Sequence, residues 1–256
     1  MLIHIPVGVR RIRDRPLVFL LHGSTGNGQE MLRHSGLAAT SDHHGFLLAA
    51  PDAGIPAGKG FVWNIPGVPT VTGALPTADD PDDVAYLTAA IDWLAGQRCI
   101  DAERVYATGL SGGGRMTSWL GCVASDRFAA IAPVVGLRAG NPSPGDPQRP
   151  DPATCRPEKA VPVYAFAGSD DTTNPVAGGG AGYWQYSMAT ALARWAELDR
   201  CSTGPETVPV SETAEEQIYS NCLGNARVAG RIVQGRGHEW VADNEAMWAF
   251  FARYRR

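Results

Sequence analysis

Short apolar runs alternate along this chain with longer stretches in which apolar side chains return every three or four residues. Leu17-Val-Phe-Leu-Leu21 is bounded by Pro16 and Gly23, and Phe46-Leu-Leu-Ala-Ala50 ends at Pro51-Asp52. Runs of this length with no polar alternation predict strands buried on both faces. Val105–Thr108, Ala130–Val135, Val161–Ala167 and Ala226–Val233 predict further strands. Val84, Leu87, Ile91 and Leu94 share one helical face behind the acidic stretch Asp79 to Asp83, whose carboxylates suit the positive end of a helix dipole. Helices are also expected over Ser111–Cys122, over Tyr183–Leu198 and around Met247, Trp248, Phe250 and Phe251. The alternation predicts an α/β fold, a mostly parallel central sheet with helices on both faces.

Two stretches resist regular structure. Residues 53–81 carry repeated Gly and Pro together with Phe61 and Trp63, and residues 136–159 are rich in proline. Loops this long inside a compact fold usually serve function or stay loosely ordered. The polar stretch between Cys201 and Cys222 also lacks a strong period. No repeat or linker divides the chain, so residues 1–256 are expected to form a single domain with no separate lid.

Composition narrows the classes. Hydrophobic residues make up 44% and charged residues 19% of the 256 positions, which excludes a disordered chain. A net charge of -4 provides no basic footprint for nucleic acid or an anionic membrane. The apolar runs are too short to cross a bilayer, and strand-like sequence follows Met1 so closely that no signal peptide is expected. Cys99, Cys122, Cys155, Cys201 and Cys222 form no CxxC pair and no Cys/His cluster with zinc spacing, so no metal site is expected. A bridge from Cys201 to Cys222 would contribute roughly 3 kcal/mol by loop closure, buried free thiols being the alternative.

The chemistry concentrates at Gly109-Leu-Ser111-Gly-Gly113, a G-x-S-x-G sequence directly after an apolar strand and directly before a helical pattern. A serine hydroxyl is a poor nucleophile, and a sharp strand-to-helix turn presents it beside a base. The helix behind Ser111 aims backbone N–H groups at developing negative charge. His22-Gly23-Ser24 follows the Leu17–Leu21 strand, where a second oxyanion donor is needed. Gly112 N–H would supply one donor and Ser24 or Thr25 N–H the other, each contributing about 3 kcal/mol in the transition state.

The order nucleophile, acid, base places the histidine last. His4, His22, His34, His43 and His44 precede Ser111, which leaves His238 in the turn Gly235-Arg-Gly-His238. The acid should follow the Val161–Ala167 strand, where Asp170 and Asp171 stand side by side; spacing alone leaves that choice open. Phe61, Trp63, Trp184 and Trp240 fall in loops or element ends that could border a cleft, while Trp195 and Trp248 sit among apolar neighbours at helical spacing and are expected in the core.

These residues resemble the polyhydroxybutyrate depolymerase-like and feruloyl esterase-like family of the α/β-hydrolase superfamily. The resemblance runs from Leu17 to the last helix. It rests on Pro16-Leu-Val-Phe-Leu-Leu-His-Gly23, Asp101-x-x-Arg-Val-Tyr106, Gly109-Leu-Ser-Gly-Gly113, Arg127-Phe-Ala-Ala-Ile-Ala-Pro133, Gly168-Ser-Asp-Asp171, Tyr183-Trp184, Arg194-Trp195 ahead of Cys201, and Gly237-His-x-Trp240. The family's His-Gly-Thr-x-Asp register lands on Asp171, although Ala167 and Ser169 stand where the family has histidine and threonine. Val241-Ala242 replaces the family's Pro-Gly after Trp240, so the wall beyond His238 differs.

The resemblance implies an α/β-hydrolase fold and a triad of Ser111, Asp171 and His238. It also implies disulfides Cys201–Cys222 and Cys122–Cys155 with Cys99 left over, and secretion. An acyl-enzyme esterase acting on phenolic-acid esters or short hydroxyalkanoate polyesters is expected, with Trp240, Trp63 and Trp184 as substrate contacts. No cofactor, nucleic acid or membrane is expected, and the chain is expected to be a monomer. Two other readings use the same scaffold: an acyltransferase, which would have to exclude water from the acyl-enzyme, and a non-catalytic binding protein.

Overall fold

A computed structural model describes residues 1–8 and 12–256. The elements in chain order are β1 (Leu2–His4), β2 (Arg15–Leu21), α1 (Gly28–Ser35), α2 (Leu37–His44), β3 (Leu47–Ala50), β4 (Ile55–Ala57), β5 (Gly60–Val62) and α3 (Asp83–Gly96). There follow β6 (Ile100–Leu110), α4 (Gly112–Val123), β7 (Ala130–Val134), β8 (Val163–Gly168), α5 (Met188–Leu198), β9 (Thr203–Ser211), β10 (Ala214–Ser220), β11 (Val228–Val233) and α6 (Asn244–Phe251). Among the described residues one nine-stranded sheet runs β1-β3-β2-β6-β7-β8-β11-β10-β9. Its six middle strands are parallel, while β1 and the β9–β10 pair are antiparallel at the two edges.

Because the sheet is covered twice, its side chains sort by parity. Leu17, Phe19 and Leu21 of β2 pack with Leu87, Ile91 and Leu94 of α3, Met116 and Leu120 of α4, and Leu192 and Trp195 of α5. Val18 and Leu20 face the other way, toward Met31, Leu37, and Met247, Phe250 and Phe251 of α6. Burying one such side chain contributes roughly 1.5–3 kcal/mol, so an uninterrupted apolar run stabilises both layers at once. Trp195 is fully buried with its indole N–H donating to Arg138 O at 2.7 Å, and Trp248 stacks on Phe46 at 4.3 Å. Cys122–Cys155 and Cys201–Cys222 are bonded and Cys99 is free, the pairing that the resemblance implies.

Three expectations change. The polar stretch after Cys201 is the β9–β10 hairpin, not a structureless loop. Strand β9 is exposed along nearly its whole length and contains Pro205 and Pro209, so no apolar face announces it. Helix α5 begins at Met188, not Tyr183, because the Ser187 side chain caps it by accepting from Thr190 N–H, which leaves Tyr183 and Trp184 in the preceding loop. Residues 53–81 include the short β4–β5 hairpin. Helices α1 and α2 also lie outside the expected elements; α1 is short but amphipathic, whereas α2 is mixed all round and carries no clear sequence period. No described helix is long and apolar enough to cross a membrane.

Asp199, at the C-terminal end of α5, is completely buried and accepts Val161 N–H at 2.9 Å. Burial outweighs that bond and raises its carboxyl to about 7. The folded chain therefore keeps the proton longer than the unfolded one, and stability falls as pH rises from about 4 through about 7. Asp199→Asn keeps an acceptor for Val161 and removes the charge. Its melting temperature should gain on the parent between pH 5 and 8 by about 2 °C or more, read by parallel thermal scans.

Candidate active site

Strand β6 ends and α4 begins on either side of Ser111, whose φ of 55° and ψ of -110° put a non-glycine residue in strained backbone. Such a conformation costs about 1–3 kcal/mol and persists only where its surroundings enforce it. Here Ser111 N–H donates to Val134 O at 2.9 Å, and Ser111 O accepts Arg115 N–H at 2.9 Å. The turn also demands close contact with β2. A Cβ on Gly113 would lie 2.2 Å from Leu21 O, and one on Gly109 would lie 2.7 Å from the same atom. Glycine at these two positions lets the nucleophile's helix seat against the strand that leads into the His22-Gly23-Ser24 loop.

The loop after β11 brings His238 to this turn. His238 Nε2 stands 2.8 Å from Ser111 Oγ, and His238 Nδ1 stands 2.8 Å from Asp171 Oδ2. With Nδ1–H donating to the carboxylate, Nε2 presents its lone pair to the serine hydroxyl. The Asp171 side chain has no solvent exposure and His238 is 26% exposed, so the carboxylate is sealed while the imidazole stays reachable. The other oxygen of Asp171 accepts Thr173 N–H and Asn174 N–H at 2.8 Å each. Asn174 in turn donates to Val135 O at 2.6 Å, fastening the acid's turn to the end of β7. Asp170 is exposed and accepts the Ser169 hydroxyl at 2.7 Å, whereas the imidazole Nδ1 is on Asp171. The loop carrying His238 is gripped at both ends, since Arg231 of β11 donates to Asp243, the N-cap of α6, at 2.9 Å.

The three proposed oxyanion residues separate. Ser24 lies over Gly112, its amide N 3.0 Å from where a Gly112 Cβ would be, so these two N–H groups are neighbours. Gly112 opens α4 and has no intrahelical acceptor. Thr25 is a correction: its N–H already donates to Phe61 O at 2.8 Å, so it is not available to an oxyanion. That bond ties the loop to β5.

Two of the three tryptophans are corrections as well. Trp63 is buried, stacks on His22 at 4.9 Å and donates to His22 O at 2.8 Å. It props the oxyanion loop from beneath. Trp184 is buried and donates to Pro175 O at 2.8 Å. Its neighbour Tyr183 is the half-buried ring on the serine side, 3.8 Å from the Arg115 guanidinium that reaches Ser24. Trp240 is partly buried, with its indole N–H on Asn244 Oδ1 at 3.0 Å, two residues from the base.

Sequence reasoning passed over His22 once His238 was chosen. Its Nδ1–H donates to Gly23 O at 2.8 Å and its Nε2 accepts Ala53 N–H at 3.0 Å. Burial lowers its pKa, so it stays a neutral strut. Asp83 was read as a helix-end charge but is buried, accepting Gly54 N–H and Asn64 N–H at 2.8 Å each. Desolvation raises it to about 6 despite those amides. Among the described residues His43, His44 and Glu245 could together approach a cation, but they are exposed and borne by α2 and α6, outside the triad.

The chain is similar to known proteins in sequence and in fold. Residues 73–138, which hold β6, Ser111, α4 and β7, match the Prolyl oligopeptidase family. The acetyl xylan esterase from Aspergillus awamori superposes with a TM-score of 0.66 at 16% identity, over 98% of this chain and 92% of that one. The chain has the α/β-hydrolase fold. It is 26% identical to feruloyl esterase B of Piromyces equi, over 99% of its own length and 45% of the relative's. It is 28% identical to the poly(3-hydroxybutyrate) depolymerase of Ralstonia pickettii, over 89% of its own length and 48% of the relative's. The expected resemblance to the polyhydroxybutyrate depolymerase-like and feruloyl esterase-like family is borne out. The chain spans about half the length of these two relatives.

Gly113→Ala tests the contact between elbow and strand. Both obstructing groups, Leu21 O and His22 O, are backbone and cannot rotate away. The substitution should destabilise the fold on the order of 3 kcal/mol, measured as a lowered denaturant midpoint at unchanged slope.

Proposed function

We propose that this α/β-hydrolase is a serine carboxylic ester hydrolase that works through an acyl-enzyme. The observation that carries the reading is the unbroken relay from Ser111 through His238 to Asp171, with 2.8 Å at each step. As the ester carbonyl arrives, Ser111 Oγ attacks its carbon and passes its proton to His238 Nε2. Asp171 holds the imidazole in the required tautomer and stabilises the imidazolium without taking the proton. Gly112 N–H and Ser24 N–H receive the oxyanion. His238 then protonates the leaving alcohol and afterwards activates a water that releases the acid.

For substrate, the reading is a phenolic-acid ester or a short hydroxyalkanoate polyester. The names of the relatives support it, as does a site without a separate lid: Ser111 and His238 are both partly exposed, so a polymer-borne ester can reach them directly. Tyr183 and Trp240 are the aromatic side chains best placed to meet it. Water reaches the acyl-enzyme equally easily, which favours hydrolysis over acyl transfer. Two disulfides suit an oxidising compartment and support secretion.

Ser111→Ala and His238→Ala should each abolish turnover of a nitrophenyl ester while leaving the circular dichroism spectrum unchanged. Asp171→Asn should lower kcat by about 10³–10⁴-fold, and Asp170→Asn should stay near the parent. Greater damage from the change at 170 would reassign the acid. A fluorophosphonate that fails to label Ser111 in folded protein would overturn the nucleophile and favour a binding role. Rates on methyl ferulate, acetylated xylan and hydroxybutyrate oligomers then rank the substrate classes.

A further inference from the structure

Two arginines outside the triad lie where unpaired charge is least tolerated. Arg115, on the first turn of α4, is 5% exposed, and Arg138, in the loop after β7, is 7% exposed. Among the described residues neither has a carboxylate within salt-bridge distance. Arg115 Nε and Nη1 and Arg138 Nη1 and Nη2 are buried without a hydrogen-bond acceptor. Arg115 and Arg138 both line one small cavity, with Ser118 and Asn141 beside them and Ile65 and Trp119 closing it. The cavity leaves about 20 Å³ for the centre of a water-sized sphere. A single water or small ion fits that space; a ring or chain does not.

The surrounding rings soften this without cancelling it. Arg115 lies 3.8 Å over Tyr183, and Arg138 lies 4.1 Å over Tyr186 and 5.1 Å from Trp184. The Tyr186 hydroxyl cannot act as a partner, since it donates to Gly140 O and accepts Ala139 N–H. A ring face attracts a cation but accepts none of its N–H groups. A guanidinium cannot escape by losing its proton at neutral pH. Two like charges thus face one cavity with their donors unmatched, and the matching group is an anion.

We propose that Arg115 and Arg138 form a binding site for one small monovalent anion, a halide or the head of a one- or two-carbon carboxylate. The site reaches the chemistry through one contact: Arg115 Nη2 donates to Ser24 Oγ at 3.3 Å. Ser24 lies against Gly112 at the proposed oxyanion hole, so an anion that fixes Arg115 also fixes the loop bearing one of the two donors. Occupancy therefore raises kcat and leaves KM nearly unchanged.

The test begins with protein exchanged into sodium gluconate, whose anion is too large for the cavity, then titrated with sodium chloride, bromide or formate at constant ionic strength. The melting temperature should rise and saturate with at least one of them. A response to chloride and bromide alone assigns a halide, to formate alone a carboxylate head, and to all three a general small-anion site. Nitrophenyl ester turnover should rise two-fold or more over the same range. Arg138→Met should abolish both responses and, having lost one of two facing charges, should melt in gluconate no lower than the parent. Arginines held only by their rings would behave otherwise, with the variant losing equal stability in every salt. That outcome, or a parent melting temperature indifferent to the three anions, overturns the proposal. Should the variant not fold, parent crystals in sodium bromide decide: an anomalous peak between the two guanidiniums is expected, and its absence overturns the site. Melting and diffraction do not use turnover, so they stand or fall apart from the esterase reading.

Discussion

Helix α4 can lie against strand β2 only because nothing but backbone separates them at Gly109 and Gly113. That contact sets the strained turn at Ser111, and the turn sets the direction in which the hydroxyl leaves the sheet. It also brings Gly112 under Ser24, so the Ser111 hydroxyl and both proposed oxyanion donors are placed by one approach of helix to strand. Tyr106 to Gly109 of β6 pair in parallel with β2 on one side and β7 on the other, and this buried ladder resists the strain. Strain in a site of this kind is held by its surroundings and not by the residue itself.

A second set of contacts steadies the oxyanion loop from below. Asp83, at the start of α3, gathers the amides of Gly54 and Asn64 on either side of the β4–β5 hairpin. Phe61 of that hairpin exchanges backbone bonds with Thr25 and Gly26, and Trp63 supports the carbonyl of His22. A buried carboxylate thereby positions, two contacts away, the loop that carries Ser24. Electrostatic stabilisation in such sites depends on donors already fixed before charge develops.

Legibility from sequence followed burial. Strands sealed on both faces, such as Leu17–Leu21 and Val163–Gly168, appear as unbroken apolar runs and were readable. Strand β9 was not, because an edge strand wetted on both faces carries no alternation. Among the site residues, Ser111 and His238 were legible because a motif and a chain order select them. Spacing alone leaves Asp170 and Asp171 equal; the family register lands on Asp171, and that is the carboxylate buried against the imidazole. The tryptophans misled for a simple reason. A loop position does not tell whether a ring faces water or is packed beneath, and Trp63 and Trp184 are both packed beneath. Arg115 and Arg138 carried no signal at all, since sequence does not reveal that a cation lacks a partner.

The order of the parts along the chain has a consequence for biogenesis. A ribosome releases Ser111 and the loop of His22 to Ser24 early, Asp171 much later, and His238 only after β11. Strand β11 inserts between β8 and β10, so the imidazole cannot dock until the last parallel strand has found its slot in the sheet. A nascent polypeptide that ends before His238 therefore displays the Ser111 hydroxyl without its imidazole partner, and the two meet only once β11 has been made and paired.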